Sequence, residues 1–564
     1  VNILLHGFLL DSTSAQNQNK LLHADDLEMA VSDYHLRLED NQHDFRADSM
    51  FVSTFTESLG AKDIKILPAD DDNIQSRILV NIKGEALELE KVNLKKLYHT
   101  RILPSSKIKI LNPEVSMTYH TEKEKSKNQK EAGLLFDMVS AYLRGVYADL
   151  VYLENGILNI ENRYNNTVQG YFETHFSFGL NDFSLDSASV QRTDKFFYAT
   201  DFNLRFSEYE MKLVDNLHML DVDSIFISSN HQRVQINNLR LKPVIQKVTT
   251  SAMKRYNRSE LYNIFVPKIN LQGIKLREAF FHNQLNINNF EISNPKIYFE
   301  NFGTLRAERE KKNFSELYQL VFNYIHDFDI KRIAVPNGEM TWVNHTRKGK
   351  TTSFDNEFSA TLQNFRLNEN ELNKKRLLFS DNFEIAVKDQ LFQLSDSVHI
   401  LRAGEIQLST RNSGIRIKDA LLYPVIAAKN YHDLPTTFQV SIPELKISNF
   451  DFLSAYYSRN LRFQDLVLNE PKIQIYSQPG TFKTLELKKY QFPLPAFIRL
   501  LQLKEFRINN GKVLTFETHG INHRARSSFK VDLSVPGLTL SNSGKKQSQL
   551  KTDNLILNIT DFKA

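Results

Sequence analysis

The sequence predicts a mainly β protein: one long, continuous, twisted antiparallel sheet coiled into an open hydrophobic trough, with a short amphipathic helix in each repeat of about 177 residues. Three observations carry that expectation. Most of the chain alternates apolar and polar residues with the period of two that belongs to strands, as in Tyr34/Leu36/Leu38, Val234/Ile236 and Phe383/Ile385/Val387. The pattern recurs at a nearly fixed spacing. No Pro- or Gly-rich linker separates the recurrences, where independent domains would show one.

Composition agrees. At 564 residues the chain has room for about three to five domains, and its 41% hydrophobic and 11% aromatic content exceeds what a disordered chain carries. Glycine, at 19, is about half its usual share, whereas phenylalanine (40) and tyrosine (21), both strand formers, are plentiful. The absence of cysteine removes disulfides, thiolate metal sites and cysteine nucleophiles together. Lys+Arg number 71 against 66 Asp+Glu, a net charge of +5 spread evenly, so a nucleic-acid partner is not expected. The longest apolar run, 134–146, is too short to span a membrane and is broken by Asp137 and Arg144. The chain opens on Val1 without a signal-peptide pattern, and both ends are expected to be cuts within a longer repeat array.

Three markers define the repeat. In the first, a proline joins two alternating strands, at Pro113, Pro295 and Pro471, spaced 182 and 176 residues apart. Apolar residues fall at the same offsets each time: Ile108, Ile110, Val115 and Met117; Phe290, Ile292, Ile297 and Phe299; Leu466, Leu468, Ile473 and Ile475. The second marker is an Asn-Gly pair at Asn155-Gly156, Asn337-Gly338 and Asn510-Gly511. Because both residues tolerate positive φ, each pair predicts a type I′ hairpin turn. The third is a segment around Phe8 that returns around Phe183, Phe365 and Leu538, in steps of 175, 182 and 173 residues.

Between the markers, Phe202/Leu204/Phe206 and Phe438/Val440/Ile442 read as further half-buried strands. A short helix is expected before each Asn-Gly pair. The first uses Leu135, Met138, Val139, Tyr142, Leu143 and Val146; the second Leu317, Leu320, Val321, Tyr324 and Ile325; the third follows Pro495 with Phe497, Ile498, Leu500 and Leu501. The repeats then run over 69–244 and 245–425, with partial repeats at 1–68 and 426–564. At about 13 residues per strand and turn, about 40 strands are expected. A strongly twisted sheet of that size coils on itself, and with its apolar face inward it forms a trough.

The strand, short helix and apolar-x-apolar-x-Asn-Gly pattern, seen at Val151, Leu153, Asn155 and Gly156, resembles AsmA-type proteins, including the TamB and YhdP relatives, over nearly the whole chain. These belong to the repeating-β-groove, bridge-like lipid transfer class. The resemblance implies a taco-shaped groove, an N-terminal inner-membrane anchor lying outside this chain, a Gram-negative periplasmic body, and phospholipid moving toward the outer membrane. Acyl chains are then the expected partner. The eighteen alternating residues Ile108, Ile110, Val115, Met117, Phe202, Leu204, Phe206, Phe290, Ile292, Ile297, Phe299, Phe438, Val440, Ile442, Leu466, Leu468, Ile473 and Ile475 are the candidate lining.

Catalytic chemistry has no anchor in the sequence. No H-E-x-x-H, P-loop, G-x-S-x-G or G-x-G-x-x-G occurs. His519 and His523 flank Gly520 after an expected hairpin, and Asp70-Asp71-Asp72-Asn73 lacks the Gly and terminal Glu of a calcium loop. Neither an enzyme nor a cofactor is expected. The alternative is a structural scaffold or adhesin of the cell envelope whose β-repeats close into sandwiches; a carbohydrate-active enzyme is a weaker rival.

Overall fold

Alternating β-branched and aromatic residues can bury one side and solvate the other only as strands, and strands are what the chain forms. A computed structural model describes residues 1–11, 17, 20–38, 43–68, 78–120, 136, 139–164, 167–189, 195–212, 217–245, 249–256, 260–302, 327–345, 351–372, 376–393, 398–425, 436–479, 499–519, 522–542 and 548–564. They fall into two units, Val1–Asn288 and Asn289–Ala564.

The first unit contains β1 (Asn2–His6), β2 (Asp26–Arg37), β3 (His43–Ser53), β4 (Ser58–Pro68), β5 (Ile78–Glu90), β6 (Ile102–Leu111), β7 (Glu114–His120), β8 (Gly145–Tyr164), β9 (Thr167–Asp186), β10 (Asp201–Lys212), β11 (His218–Ser228), β12 (Arg233–Pro243) and β13 (Glu260–Gln272). The division between units falls within β14 (Gln284–Ser293). The second unit contains β15 (Lys296–Asn301), β16 (Asp327–His345), β17 (Thr351–Leu367), β18 (Asn382–Gln393), β19 (His399–Ser409), β20 (Gly414–Pro424), β21 (Thr436–Ser448), β22 (Asn460–Asn469), β23 (Lys472–Ser477), β24 (Leu500–His519), β25 (Asn522–Asn542), β26 (Ser548–Lys551) and β27 (Ile556–Lys563). The described residues thus hold 27 strands rather than about 40, because many are long: β8, β9 and β24 have 20 residues each and β25 has 21.

In each unit the sheet is mixed, which corrects the antiparallel expectation. Strands β1 to β5 pair antiparallel in chain order. The far half of β5 then pairs with β6 and its near half with β7 (Leu89↔Ile108, Val80↔Met117). Together β6 and β7 run parallel to β8 (Ile108↔Val151, Met117↔Ile160). Antiparallel pairing resumes from β8 to β13. In the second unit β15 is parallel to β16, and β22 with β23 is parallel to β24. A parallel connection needs a dozen or more residues between its strands, and the segments from β7 to β8 and from β23 to β24 are that long.

Of the expected helices, part of the first is described, in the connection from β7 to β8. Phe136 and Val139 are helical, Tyr142 follows in a turn with Leu143 just after it, and Val146 is already in β8. Phe136, Val139 and Leu143 pack on a cluster containing Leu89, Leu103, Val146 and Leu185. Leu135, Met138, the second expected helix, Phe497 and Ile498 lie outside the described residues. Leu500 and Leu501 belong to β24, where pairing with Asn460 and Leu461 overrides a spacing that also suits a helix. A different helix recurs instead: α1 (Leu94–Thr100), α2 (Leu276–His282) and α3 (Phe452–Ser458), with the same 182- and 176-residue steps as the prolines. At seven residues each they are too short to show a helical period. Side chains of Asn93 and Asp451 cap α1 and α3 by accepting the Lys96 and Ser454 amides.

The Asn-Gly pairs are not hairpins. Each lies inside a long strand, at a bulge where the register shifts between Leu153/Gly156, Val335/Gly338 and Ile508/Gly511. Asn155, Asn337 and Asn510 have φ of 55°, 48° and 52°, which a bulge needs as much as a turn does. The proline joint lies directly opposite. Asn112 N–H donates to Glu154 O (2.9 Å) and Ile157 N–H to Pro113 O (2.8 Å); the same two bonds recur as Asn294→Pro336 and Glu339→Pro295, then as Glu470→Asn509 and Lys512→Pro471. Two sequence markers some forty residues apart are therefore one structural joint. Type I′ geometry, with positive φ at both central residues, falls instead on Leu22/His23 and Phe197/Tyr198, inside the bridges Leu21↔Ala24 and Phe196↔Ala199.

A histidine closes some strand ends. His218 and His399, each 4% exposed, stand opposite Pro243 and Pro424, the last residues of β12 and β20. Their Nε2 atoms reach past the ended strand and accept the Tyr262 and Phe438 amides (3.2 and 3.1 Å). His43, 2% exposed, stands likewise opposite Pro68.

At the bulge, a Cβ on Gly338 would lie 2.4 Å from the Phe358 ring, so Gly338→Ala is expected to destabilise the chain by about 1–3 kcal/mol in urea unfolding. Adding Phe358→Leu should recover part of that loss; a purely additive double variant would contradict the steric account.

Candidate functional site

Register converts the alternating residues into continuous apolar rows. In the first unit one row runs Val31–Met50–Ala61–Leu87–Ile110–Leu153–Phe178–Leu204–Ile227–Val234–Leu271, crossing eleven hydrogen-bonded strands without a polar residue. In the second unit Val335–Ala360–Ile385–Leu408–Ile415–Ile447–Leu466–Phe506–Val535 crosses nine. Members of the first row are half-buried, Ala61 (1% exposed) excepted. The inner face of a closed sandwich is buried far more completely. Where no helix packs, the apolar contacts are lateral: Ile508, Val513 and Val531 pack with Leu468, Ile473, Ile475 and Leu533, all from neighbouring strands.

Each sequence-predicted residue has a place in this arrangement. Ile108, Ile110, Val115 and Met117 stand opposite Leu89, Leu87, Ile82 and Val80. Phe202, Leu204 and Phe206 stand opposite Leu180, Phe178 and Phe176. Phe290 and Ile292 lie half-buried on β14, and Ile297 and Phe299 pair with Met340 and Trp342. Phe438 and Val440 pair with Ile475 and Ile473, Ile442 with Ala420, and Leu466 and Leu468 with Phe506 and Ile508. Sixteen of the eighteen are half-buried; Val115 and Phe202 are buried, at 9% and 6% exposure. The other nine members of the first row, Leu87, Phe178 and Ile227 among them, are not in the candidate lining, although alternation was the available signal; Leu153 and Val234 were read as strand residues only.

At one level of many strands the alternation slips. Ser32-Asp33, Lys62-Asp63, Ser207-Glu208, Lys388-Asp389 and Lys418-Asp419 are consecutive polar residues, the second of each with φ between 49° and 57°. The slips align: flanking pairs place Asp33, Asp48, Asp63 and Glu85 side by side in the first unit, and Asp389, Gly404, Asp419 and Pro443 in the second. One extra residue per strand bends the backbone there while keeping the apolar residues above and below it on one face. Phe45, Met50, Leu87 and Ile110, from both sides of the slip, accordingly share one cluster.

The opposite face is laced with ion pairs. Arg240 bonds both Asp221 (2.9 Å) and Asp223 (2.7 Å), and Lys242 also reaches Asp221. Burial alone would push the Asp221 carboxyl up, but hydrogen bonds from Lys242 and Arg240 outweigh it and hold the group below its ordinary 3.8. Asp44 is held low by its hydrogen bond from Arg37, against the opposing effect of burial. His519 and His523 flank a hairpin between β24 and β25, and Asp70 to Asn73 lie outside the described residues. Among the described residues no group of three or more His, Asp or Glu could hold a metal ion, and no helix is long and apolar enough to cross a membrane.

Comparison with known proteins adds no assignment. No family model matches the chain, and no curated protein matches it. Among solved structures it has a likeness to the sex pheromone staph-cAM373 precursor, at 8% identity over 57% of this chain and 85% of that one, with a TM-score of 0.11. A score that low carries no argument.

Folding favours ionised Asp221, so its contribution is present above the unfolded carboxylate range, about pH 4, and is lost as pH falls through the lower folded value. Asp221→Asn is therefore expected to flatten the loss of stability between about pH 5 and about pH 2 in urea unfolding, the two proteins converging at the acid end. An unchanged slope would remove Asp221 from the acid response.

Proposed function

We propose that this chain is a segment of a bridge-like lipid transfer protein, without enzymatic activity. Phospholipid acyl chains lie against the apolar face, which forms a groove, while headgroups stay in water. The carrying observation is the apolar row that continues through eleven strands of the first unit and remains half-buried. A surface of that extent normally marks an interaction site, and its uniform aliphatic and aromatic chemistry suits hydrocarbon better than any one rigid partner. The aligned slips support the reading, since bending many strands at one level gives the face two walls. Together with the resemblance to AsmA-type proteins, this favours a periplasmic location and movement of phospholipid between inner and outer membranes, the membrane attachments lying outside these residues.

Mass spectrometry of organic extracts from the purified chain should find phospholipid in stoichiometric amount. Ile475→Asp places a charge on the apolar face, beside Phe438 and in the cluster with Leu468, Ile473 and Phe506. It should cut transfer of fluorescent phospholipid between vesicles by about tenfold, because a carboxylate there must be desolvated for a chain to pass. An extract without lipid would favour an envelope scaffold or adhesin instead.

A further inference from the structure

In each unit the sheet margin that carries a short helix, α1 in the first and α3 in the second, also carries a pair of arginines. Arg101 follows α1 and leads into β6; Arg144 leads into β8. Parallel pairing begins at Ile102↔Gly145, and one step earlier the Arg144 amide donates to the Arg101 carbonyl (2.8 Å), so the two arginines stand side by side in register. The arrangement is repeated in the second unit. Arg459 follows α3, pairing begins at Asn460↔Leu500, and the Arg499 amide donates to the Arg459 carbonyl (3.0 Å). In α2 the position equivalent to Arg101 is Asn283.

Like charges side by side on adjacent strands repel, and among the described residues neither pair is offset by a carboxylate. All four arginines are exposed, and none makes an ion pair among the described residues. The acid nearest by register is Asp186, opposite Gly145; it is committed to the Tyr147 hydroxyl (2.7 Å) and the Ser189 amide (2.6 Å). In the second unit the corresponding residue, opposite Leu500, is Ser541. The Arg101 guanidinium is drawn toward the Ala141 carbonyl (3.5 Å), a neutral group. Arg101 and Arg459 also adopt left-handed backbone, with φ of 60° and 57°, at helix ends where Gly or Asn is favoured. An exposed tyrosine precedes each by three residues: Tyr98 (62%) and Tyr456 (61%), whose apolar rings and polar tips suit a boundary between hydrocarbon and water.

We infer that the Arg101/Arg144 and Arg459/Arg499 pairs are binding sites for a phosphate ester, and that the ester is the phosphodiester headgroup of a glycerophospholipid whose acyl chains lie on the apolar face. Two guanidinium forks can bracket one phosphodiester, whose negative charge between them offsets their mutual repulsion. The inference rests on the lipid reading above and adds headgroup selection to it.

The test uses the full chain and a fourfold variant, Arg101→Asn, Arg459→Asn, Arg144→Gln and Arg499→Gln, the asparagines copying Asn283. Lipid-free protein is loaded from vesicles containing equal phosphatidylglycerol and diacylglycerol of the same acyl chains, and the bound lipids are weighed by mass spectrometry. The natural chain is expected to prefer phosphatidylglycerol by roughly tenfold, and the variant, folded by circular dichroism, to take both equally. A fourfold lysine variant should keep part of the preference, since it retains charge without the fork. Equal uptake by the natural chain, or an unchanged preference in the variant, would overturn the arginine sites and leave the lipid reading standing. Uptake of neither lipid would overturn that reading itself. Calorimetric titration with inorganic phosphate separates the sources: saturable binding lost in the variant, with no headgroup preference in loading, would make these sites for free phosphate and overturn the headgroup assignment.

Discussion

Backbone pairing at the proline joint is the constraint on which the rest depends. Among the described residues only short helices pack on the apolar clusters of the sheet, so its ladder has to continue where two short strands replace one long strand. Proline has no N–H to give. The bulge in the facing strand resolves this by offering the carbonyl of Glu154 before the break and the amide of Ile157 after it, and the same exchange occurs at Pro295 and Pro471. Gly156 and Gly338 leave room at the bulge for Phe176 and Phe358, so an aromatic ring covers the point where the ladder is most distorted.

The positions of this joint were legible in the sequence, but its nature was not. Asn155 and Gly156 announce a positive φ, a requirement that hairpins and bulges share; what decides between them is the proline strand lying opposite, which no local window contains. The parallel pairing was hidden for the same reason, because it joins residues forty apart. The apolar face was the most legible feature, since each strand displays it separately in residues such as Ile108, Leu204 and Leu466. Its continuity was not legible, because one residue of slip would send a whole row to the other side. The doubled polar residues, Ser32-Asp33 or Lys388-Asp389, were visible marks of the bend whose meaning depends on their alignment across strands. The seven-residue helices left only their capping residues, Asn93 and Asp451, as a trace. The arginine pairs left none, because Arg101 and Arg144 become neighbours only through the parallel joint.

Stability in such an arrangement is spread thin. Ion pairs on the polar face are mostly half exposed and contribute little one by one. The apolar contacts form strips a few strands wide. A half-covered face of this kind gains further burial whenever hydrocarbon settles on it, which couples folding stability to occupancy by mass action. Lipid carried on the face would thereby do part of the work that a second sheet does in a sandwich.

The parallel joint also sets the symmetry of the repeat. From β5 to β13 the sheet takes seven lateral steps. Seven reversals would leave β13 pointing against β5, and each period would be upside down relative to the last. One parallel step leaves six reversals, an even number, so β13 points with β5 and α2 emerges from the same margin as α1. Within the first unit the next period therefore begins in the same orientation as the last, and its two margins keep their roles. A molecule sliding along one margin of that unit would meet strands running in the same sense at the start of each period, as on a polar track.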